Sequence, residues 1–420
     1  MNRTAVAALG LAVAVALAAC KTGGDFAEGP VTTAAAPAAS AIGLEAEASA
    51  PTPLPDIRIG ERPDPASDEA GLWLLFDRVE TQSRTAGNRI TDPELNAYIQ
   101  GIACRLAGPY CGEMRVYIAQ VPQFNASMAS NGMMTVWSGL LLRTRNEAQL
   151  AAVIGHEIGH YLRRHGIQRW RSMVNASGFL SFFSAGMAIA GIPGVADLAA
   201  IATMGGLSSF SRDHEREADL IGVERMAETG YDPREAARIW ELLIQENEKG
   251  EVDRSYSFFL SSHPRESERQ ETLSRRANLI IARTGKAGDL GTERHRRAIE
   301  RHRFALLLDE VRTRHFKKNL ALVESLLEDG WRPAELHFFK GEIFRLRDDA
   351  DSNDRENALA AYGEALRHPD PPEQTYRSIG LLNHRMGKPE AAAAALRRYL
   401  DRRPDAPDAA FLKSLTEPTS

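Results

Sequence analysis

The stretch Thr144 to Arg164, TRNEAQLAAVIGHEIGHYLRR, constrains this chain more than any other. Leu150, Ile154, Ile158 and Tyr161 recur at helical spacing, so the stretch reads as one amphipathic helix. Thr144 and Glu147 have the spacing of a capping box at its start. Within it stands His156-Glu157-x-x-His160. Two His four residues apart lie about 40° apart around the helix, one turn above the other, so both imidazoles can reach one metal ion. Glu157 projects beside that ion as a general base for metal-assisted peptide hydrolysis. Gly155 and Gly159 each precede a His, and each costs a helix interior about 1 kcal/mol against Ala. Two such losses on one face imply that something approaches the backbone there.

A catalytic zinc keeps three protein ligands and one open position, so a third ligand must come from elsewhere. The candidate region is SRDHEREAD, Ser211 to Asp219, opening a second helix that runs to about Glu228 and stops at Gly230. Glu215 and Asp219 share a face of that helix. Glu217 competes on chemistry alone, but it lies about 200° around the helix from Glu215, so both cannot bind one ion. His214 is a weaker rival.

HExxH followed by SR-x-x-E-x-x-A-D resembles the gluzincin metallopeptidases that include the CaaX prenyl-protein proteases and the HtpX membrane proteases. The resemblance implies a zincin-like α+β catalytic domain, mainly α with a small β-sheet, and one Zn2+ per chain held by His156, His160 and Glu215. It makes Asp219 either a partner that orients a ligand His or a proton donor. Downstream, the loop FLSSHP and the helix carrying Arg269 resemble the family's third motif. There His263 would be a removable, inhibitory fourth ligand, or only a capping residue. Arg269 would stabilise an oxyanion, or serve as an ion-pair partner.

Upstream of the metal helix, helices are expected over Glu69–Gln82 and Asp92–Leu106, the latter opened by Asp92-Pro93. Short strands are expected at Arg115–Ala119, Phe124–Met128 and Met133–Trp137, the last two flanking the turn pair Asn131-Gly132. Met133, Met134, Thr135, Val136 and Trp137 are the candidate substrate-binding edge strand, with an internal hairpin strand as the alternative. Cys104 and Cys111 are a possible disulfide in an exported chain.

Export is suggested by the first twenty residues. Arg3 precedes an apolar run from Ala5 to Ala19, too short for a comfortable membrane span. Leu17-Ala18-Ala19-Cys20 resembles a lipoprotein lipobox, which implies that Cys20 is lipidated, with a plain secretory signal as the alternative; Lys21 after the Cys fits sorting to the outer membrane, facing the periplasm. Thr22 to about Asp68, rich in Ala, Pro and Thr, reads as a disordered tether. A basic run, Arg163, Arg164, Arg169 and Arg171 around Trp170, reads as a solvated helix end or a headgroup contact. Val174 to Leu207, with Asp197 its one charge, reads as a buried or membrane-resting helical hairpin over the cleft.

The organisation is therefore a signal segment (1–20), a tether (21–68), a metallopeptidase domain (69–290) and an all-α tetratricopeptide-like domain (291–420). The basic segment 294–303 reads as a solvated connector. In the last domain Tyr376, Gly380, Ala392, Leu396, Tyr399 and Pro404 hold repeat spacing, echoed by Gly341, Ala358, Tyr362 and Ala365. Charged residues at 25% and a net charge of -5 give no sign of nucleic-acid binding. By the resemblance to the metallopeptidase family, the expected substrates are unfolded or misassembled outer-membrane proteins, with assembly machinery as a possible partner of the repeats. The alternative is a chaperone or assembly adaptor with a blocked or structural zinc site.

Overall fold

A computed structural model describes residues 55–177, 210–251, 263, 266–349 and 352–417. The signal segment with Cys20, most of the tether and nearly all of the 174–207 hairpin lie outside the described residues.

Among the described residues the chain is mainly helical with one three-stranded sheet. Helices α1 (Asp68–Arg84) and α2 (Pro93–Ala107) open where their caps dictate. Ser67 accepts from the Ala70 N–H, and Asp92 accepts from the Leu95 N–H with Pro93 already inside the helix. A 3-10 turn, Gly108–Glu113, brings Cys111 back to Cys104, and the two are disulfide-bonded with Cα atoms 4.4 Å apart.

Strand β1 (Arg115–Ala119) runs parallel to β3 (Met133–Trp137), and β2 (Ala126–Met128) runs antiparallel to β3. The order is β1-β3-β2, so Met133–Trp137 is the centre strand and every one of its residues is buried. The expected edge is therefore corrected: β2 is the outer strand beside the metal helix. The hairpin turns at Asn131-Gly132, where Gly132 has φ 89°. A Cβ there would stand 2.1 Å from the Glu113 carbonyl oxygen, so only glycine fits.

A short helix α3 (Ser138–Arg143) leads into the metal helix α4 (Glu147–Leu162). Its N-cap is Asn146, which accepts from the Gln149 N–H, while Gln149 Oε1 accepts from the Arg145 N–H. The capping box thus sits two residues later than Thr144 and Glu147 suggest. Glu147 is instead buried, paired with Arg294 and hydrogen-bonded to Tyr231. Every residue of α4 is buried, so the helix is enclosed on all sides rather than amphipathic. The sheet, α2, α6 (Arg212–Glu228), α7 (Glu235–Lys249) and α9 (Thr292–Arg312) surround it.

After α4 the chain turns through Arg164, φ 56°, into α5 (His165–Ser177). The basic run here is not a free helix end, because three of its arginines are held in ion pairs. Arg163 pairs with Asp56, Arg164 with Glu61 and Glu69, and Arg171 with Asp68. Trp170 is buried against Leu72 and Ile167. The segment before α1 thereby binds the foot of the metal helix, where the Ile57 N–H also donates to the Leu162 carbonyl.

Helix α8 (Glu266–Thr284) packs on α6 and α7. Beyond it α9 is not a solvated connector, because His295, Ile299 and Arg303 form a buried stripe. One apolar core continues across this point, from Ile57 to Leu382. A buried ion triad also crosses it: Arg143 reaches Glu246 at 2.8 Å and Glu310 at 2.9 Å. The remaining helices are α10 (Phe316–Glu328), α11 (Pro333–Arg347), α12 (Asp354–Ala365), α13 (Gln374–Arg385), α14 (Pro389–Arg402) and α15 (Ala409–Ser414). Consecutive ones pack in pairs, α11 on α12 and α13 on α14. Gly341 admits the Tyr362 ring, and Gly380 admits Leu396, because a Cβ at either glycine would come within 2.4–2.5 Å of them. Among the described residues, no helix is long and apolar enough to cross a membrane.

Candidate metal centre

The centre is built where α4 and α6 meet without side chains between them. A Cβ on Gly159 would stand 2.9 Å from the Ala218 Cα, and one on Gly222 would stand 2.9 Å from the His156 nitrogen. Gly155 faces the Gly222 backbone in the same way. Helix-interior glycines are costly, and here they admit a second backbone.

Backbone contact at this range brings Glu215 to the two imidazoles. His156 Nε2 and His160 Nε2 are 3.0 Å apart. Glu215 Oε2 is 3.6 Å from the first, and Oε1 is 3.4 Å from the second. His263 adds its Nδ1, 2.8 Å from Glu215 Oε1 and 3.2 Å from His156 Nε2. One ligand atom from each of His156, His160, Glu215 and His263 thus falls within 4.8 Å of the others, all buried.

The tautomers follow from what stands behind each ring. His156 Nδ1 faces Asp219 Oδ1 at 2.9 Å, so its proton lies there and Nε2 presents a lone pair. His160 Nδ1 faces His165 Nδ1 at 2.9 Å, and His165 Nε2 faces Glu217 Oε2 at 3.0 Å. Burial, reinforced by His214 and His156, lowers His165 to about 3, so that ring is neutral. It donates to Glu217 and accepts from His160, which again leaves His160 Nε2 as a lone pair. Two lone pairs 3.0 Å apart beside a carboxylate repel unless a cation lies among them. The residues present therefore fit a metal ion, and two imidazoles with a carboxylate suit zinc.

The carboxylates divide by environment. Burial raises Glu157, against the pull of His263 and His156. Its Oε1 is buried with no hydrogen-bond partner among the described residues, 3.6 Å from His263 Nε2. Burial opposes ionisation of Glu215 as well, but His263, His160 and Arg269 outweigh it and hold that carboxyl far below its usual range. Burial likewise opposes Asp219, and Arg269 and His156 prevail.

Arg269 is buried, stacked 3.9 Å from the Trp240 ring centroid. Its Nε and Nη2 donate to Asp219 at 2.8 and 2.6 Å, and Nη1 is 2.9 Å from Glu215 Oε2. These donors face the two carboxylates, and Nη2 also lies 3.1 Å from His156 Nδ1, which makes Arg269 an ion-pair partner of the centre. Glu217 is not a ligand: it pairs with His165 and with Arg163 Nε at 3.0 Å. His214 is stacked on His165 with ring centroids 4.2 Å apart, outside the ligand group. His165 and Phe210 are additions that the motif does not announce. Phe210 lies flat on His160, centroids 3.9 Å apart, and the Arg169 guanidinium stands 4.2 Å from the centroid of the Phe210 ring. The spacing His160-x-x-x-x-His165 was the available signal for the first, and for Phe210 no signal stood out.

Comparison with known proteins agrees with this geometry. Residues 89–277 match the family described as Peptidase family M48. The mitochondrial metalloendopeptidase OMA1 of Arabidopsis thaliana is 31% identical over 237 residues, 53% of this chain and 43% of that one. A beta-barrel assembly-enhancing protease of Yersinia pestis is 28% identical over 235 residues, 54% of this chain and 47% of that one. A putative beta-barrel assembly-enhancing protease of Vibrio cholerae is 30% identical over 166 residues, 37% of this chain and 34% of that one. The matches span less than half the length of these relatives.

Proposed function

We propose that this chain, whose residues 89–277 are a peptidase family M48 domain, is a zinc metalloendopeptidase that hydrolyses misfolded or misassembled envelope proteins. The observation that carries the reading is the convergence of His156, His160 and Glu215 with Glu157 Oε1 buried beside them and without a hydrogen-bond partner among the described residues. A metal bound there supplies Lewis acidity toward a water and a peptide carbonyl. Glu157 accepts the proton of that water, and its burial suits a carboxylate that must also release a proton to the leaving amine. Asp219 and His165 hold the two ligand rings in the tautomers that aim Nε2 inward. His263 takes the place of a removable ligand that keeps the enzyme at rest.

Substrate backbone pairs with the outer strand Ala126–Met128, which has β3 on one side only. Helices 333–414 form a tetratricopeptide-like stack that delivers polypeptides, a reading supported by the repeated glycine contacts at Gly341 and Gly380. The lipobox-like Leu17–Cys20 supports anchoring to the outer membrane from the periplasm. The names of the bacterial relatives support the substrate class, whereas the mitochondrial relative points to another compartment.

The test is degradation of an unfolded porin by the full chain against Glu157→Gln, each loaded with one zinc. Loss of cleavage with zinc retained supports the peptidase. Should partner binding and cellular rescue persist unchanged in Glu157→Gln, the chain acts as an assembly adaptor instead.

A further inference from the structure

A second cluster of metal-ligating side chains lies far along the chain from the first, in α11 and α12. His337 sits in the second turn of α11, Glu364 in the last turn of α12, and His368 just past its end. One ligand atom from each lies within 4.8 Å of the other two. The imidazole planes of His337 and His368 are nearly parallel, 5° apart, with centroids 5.3 Å apart. His368 Nε2 is 3.5 Å from Glu364 Oε1.

We propose that His337, Glu364 and His368 form a second divalent-cation site, of the zinc class, that braces the open end of the α11–α12 hairpin.

The donor set is two imidazoles and a carboxylate, which selects zinc over the hard cations that need all-oxygen cages. Glu364 and His368 are four residues apart and their side chains already meet at 3.5 Å, so one short segment presents two ligands together. His337 approaches from the neighbouring helix. All three are partly exposed, so an ion enters from solvent without opening the core. The nearest competitor is Arg367, which pairs with Glu364 at a side-chain exposure of 75%. An exposed pair of this kind is weak and yields readily.

Placement gives the site its consequence. At the loop end of the hairpin, Arg347 pairs with Asp354, and the Asp349 N–H donates to Asp354 Oδ2 at 3.0 Å. The cluster stands at the opposite end, where the helices part. Around a tetrahedral zinc the ligand atoms stand about 3.4 Å apart, so these three must close by rotating their side chains. The peptidase centre is already drawn in to 3.0–3.6 Å. The second ion therefore binds more weakly than the first. This site stands whether or not the chain is a peptidase.

Two measurements on the full chain test it. After chelator treatment and dialysis at neutral pH, zinc titration should show two equivalents in the unaltered chain. The double variant His337→Gln/His368→Gln should bind one. In the unaltered chain, zinc beyond the first equivalent should slow carbethoxylation of His337 and His368 as read by mass spectrometry. This second readout stands even if the variant fails to fold. A single equivalent in the unaltered chain, a second equivalent that survives the double substitution, or unprotected His337 and His368 would overturn the proposal.

Discussion

His160 Nδ1 and His165 Nδ1 meet at 2.9 Å inside the protein, and the far nitrogen of His165 rests on Glu217. The ligand ring is thus oriented by another imidazole, not directly by a carboxylate. Loss of such a partner weakens metal binding by about 10–100-fold. His165→Ala should lower zinc affinity by that range in competition with a chromophoric chelator. Glu217→Gln, which keeps an acceptor, should lose less than Glu217→Ala. Equal zinc affinity in all three variants and the parent would mean that His165 only fills space.

Glu157 lies outside the group of His156, His160, Glu215 and His263, so its loss separates chemistry from binding. Glu157→Gln should retain one zinc by elemental analysis and lose about 10²–10⁴-fold in peptide hydrolysis. Metal lost together with activity would make Glu157 part of the ligand set.

His263 contributes Nδ1 to the ligand group, 2.8 Å from Glu215. If it holds the enzyme at rest, His263→Ala should raise the cleavage rate of an unfolded substrate. Unchanged or lost activity removes the resting-ligand role.

Gly159 has no room for a methyl group, since its Cβ would stand 2.9 Å from Ala218. Gly159→Ala should cost about 1–3 kcal/mol in denaturant unfolding, as overpacked interiors do. It should also weaken zinc binding, because it moves Glu215 away from the rings. Gly363, with open space around it, is the control, and Gly363→Ala should be neutral or stabilising.

His295 is buried, with Nε2 3.0 Å from the Thr144 carbonyl and Nδ1 3.2 Å from the Tyr98 hydroxyl. Burial lowers it to about 4. An unfolded His binds a proton near 6.5, so the unfolded chain takes up more protons as pH falls. The contribution to stability is complete above the unfolded value and is lost from about pH 6.5 down to pH 4. A full loss amounts to about 3 kcal/mol. Unfolding midpoints at pH 7 and pH 4.5 should differ less in His295→Gln than in the parent.

Much of the centre was legible because its chemistry is local in sequence. His156 and His160 share a helix face by spacing alone, and Ser211 caps the helix that carries Glu215. The two glycines before the His residues announced a close backbone, and α6 is what approaches. What stayed hidden depends on contacts between distant segments. The rank of Met133–Trp137 within the sheet is set by a parallel partner at 115–119 that no hairpin rule supplies. Glu217 reads as a failed ligand until His165 is seen in front of it. Arg294 and Arg303 look like a solvated basic run, yet they pair with Glu147 and Glu335 from remote elements.

The glycine seam between α4 and α6 also bears on how this centre can diversify. With backbone against backbone, the spread of the three donors is set by main-chain geometry and leaves no side chain at the seam to resize. Descendants of this sequence that favour a different ion must therefore exchange the donors themselves, or rework the segment bearing His263, because the frame has no adjustable spacer.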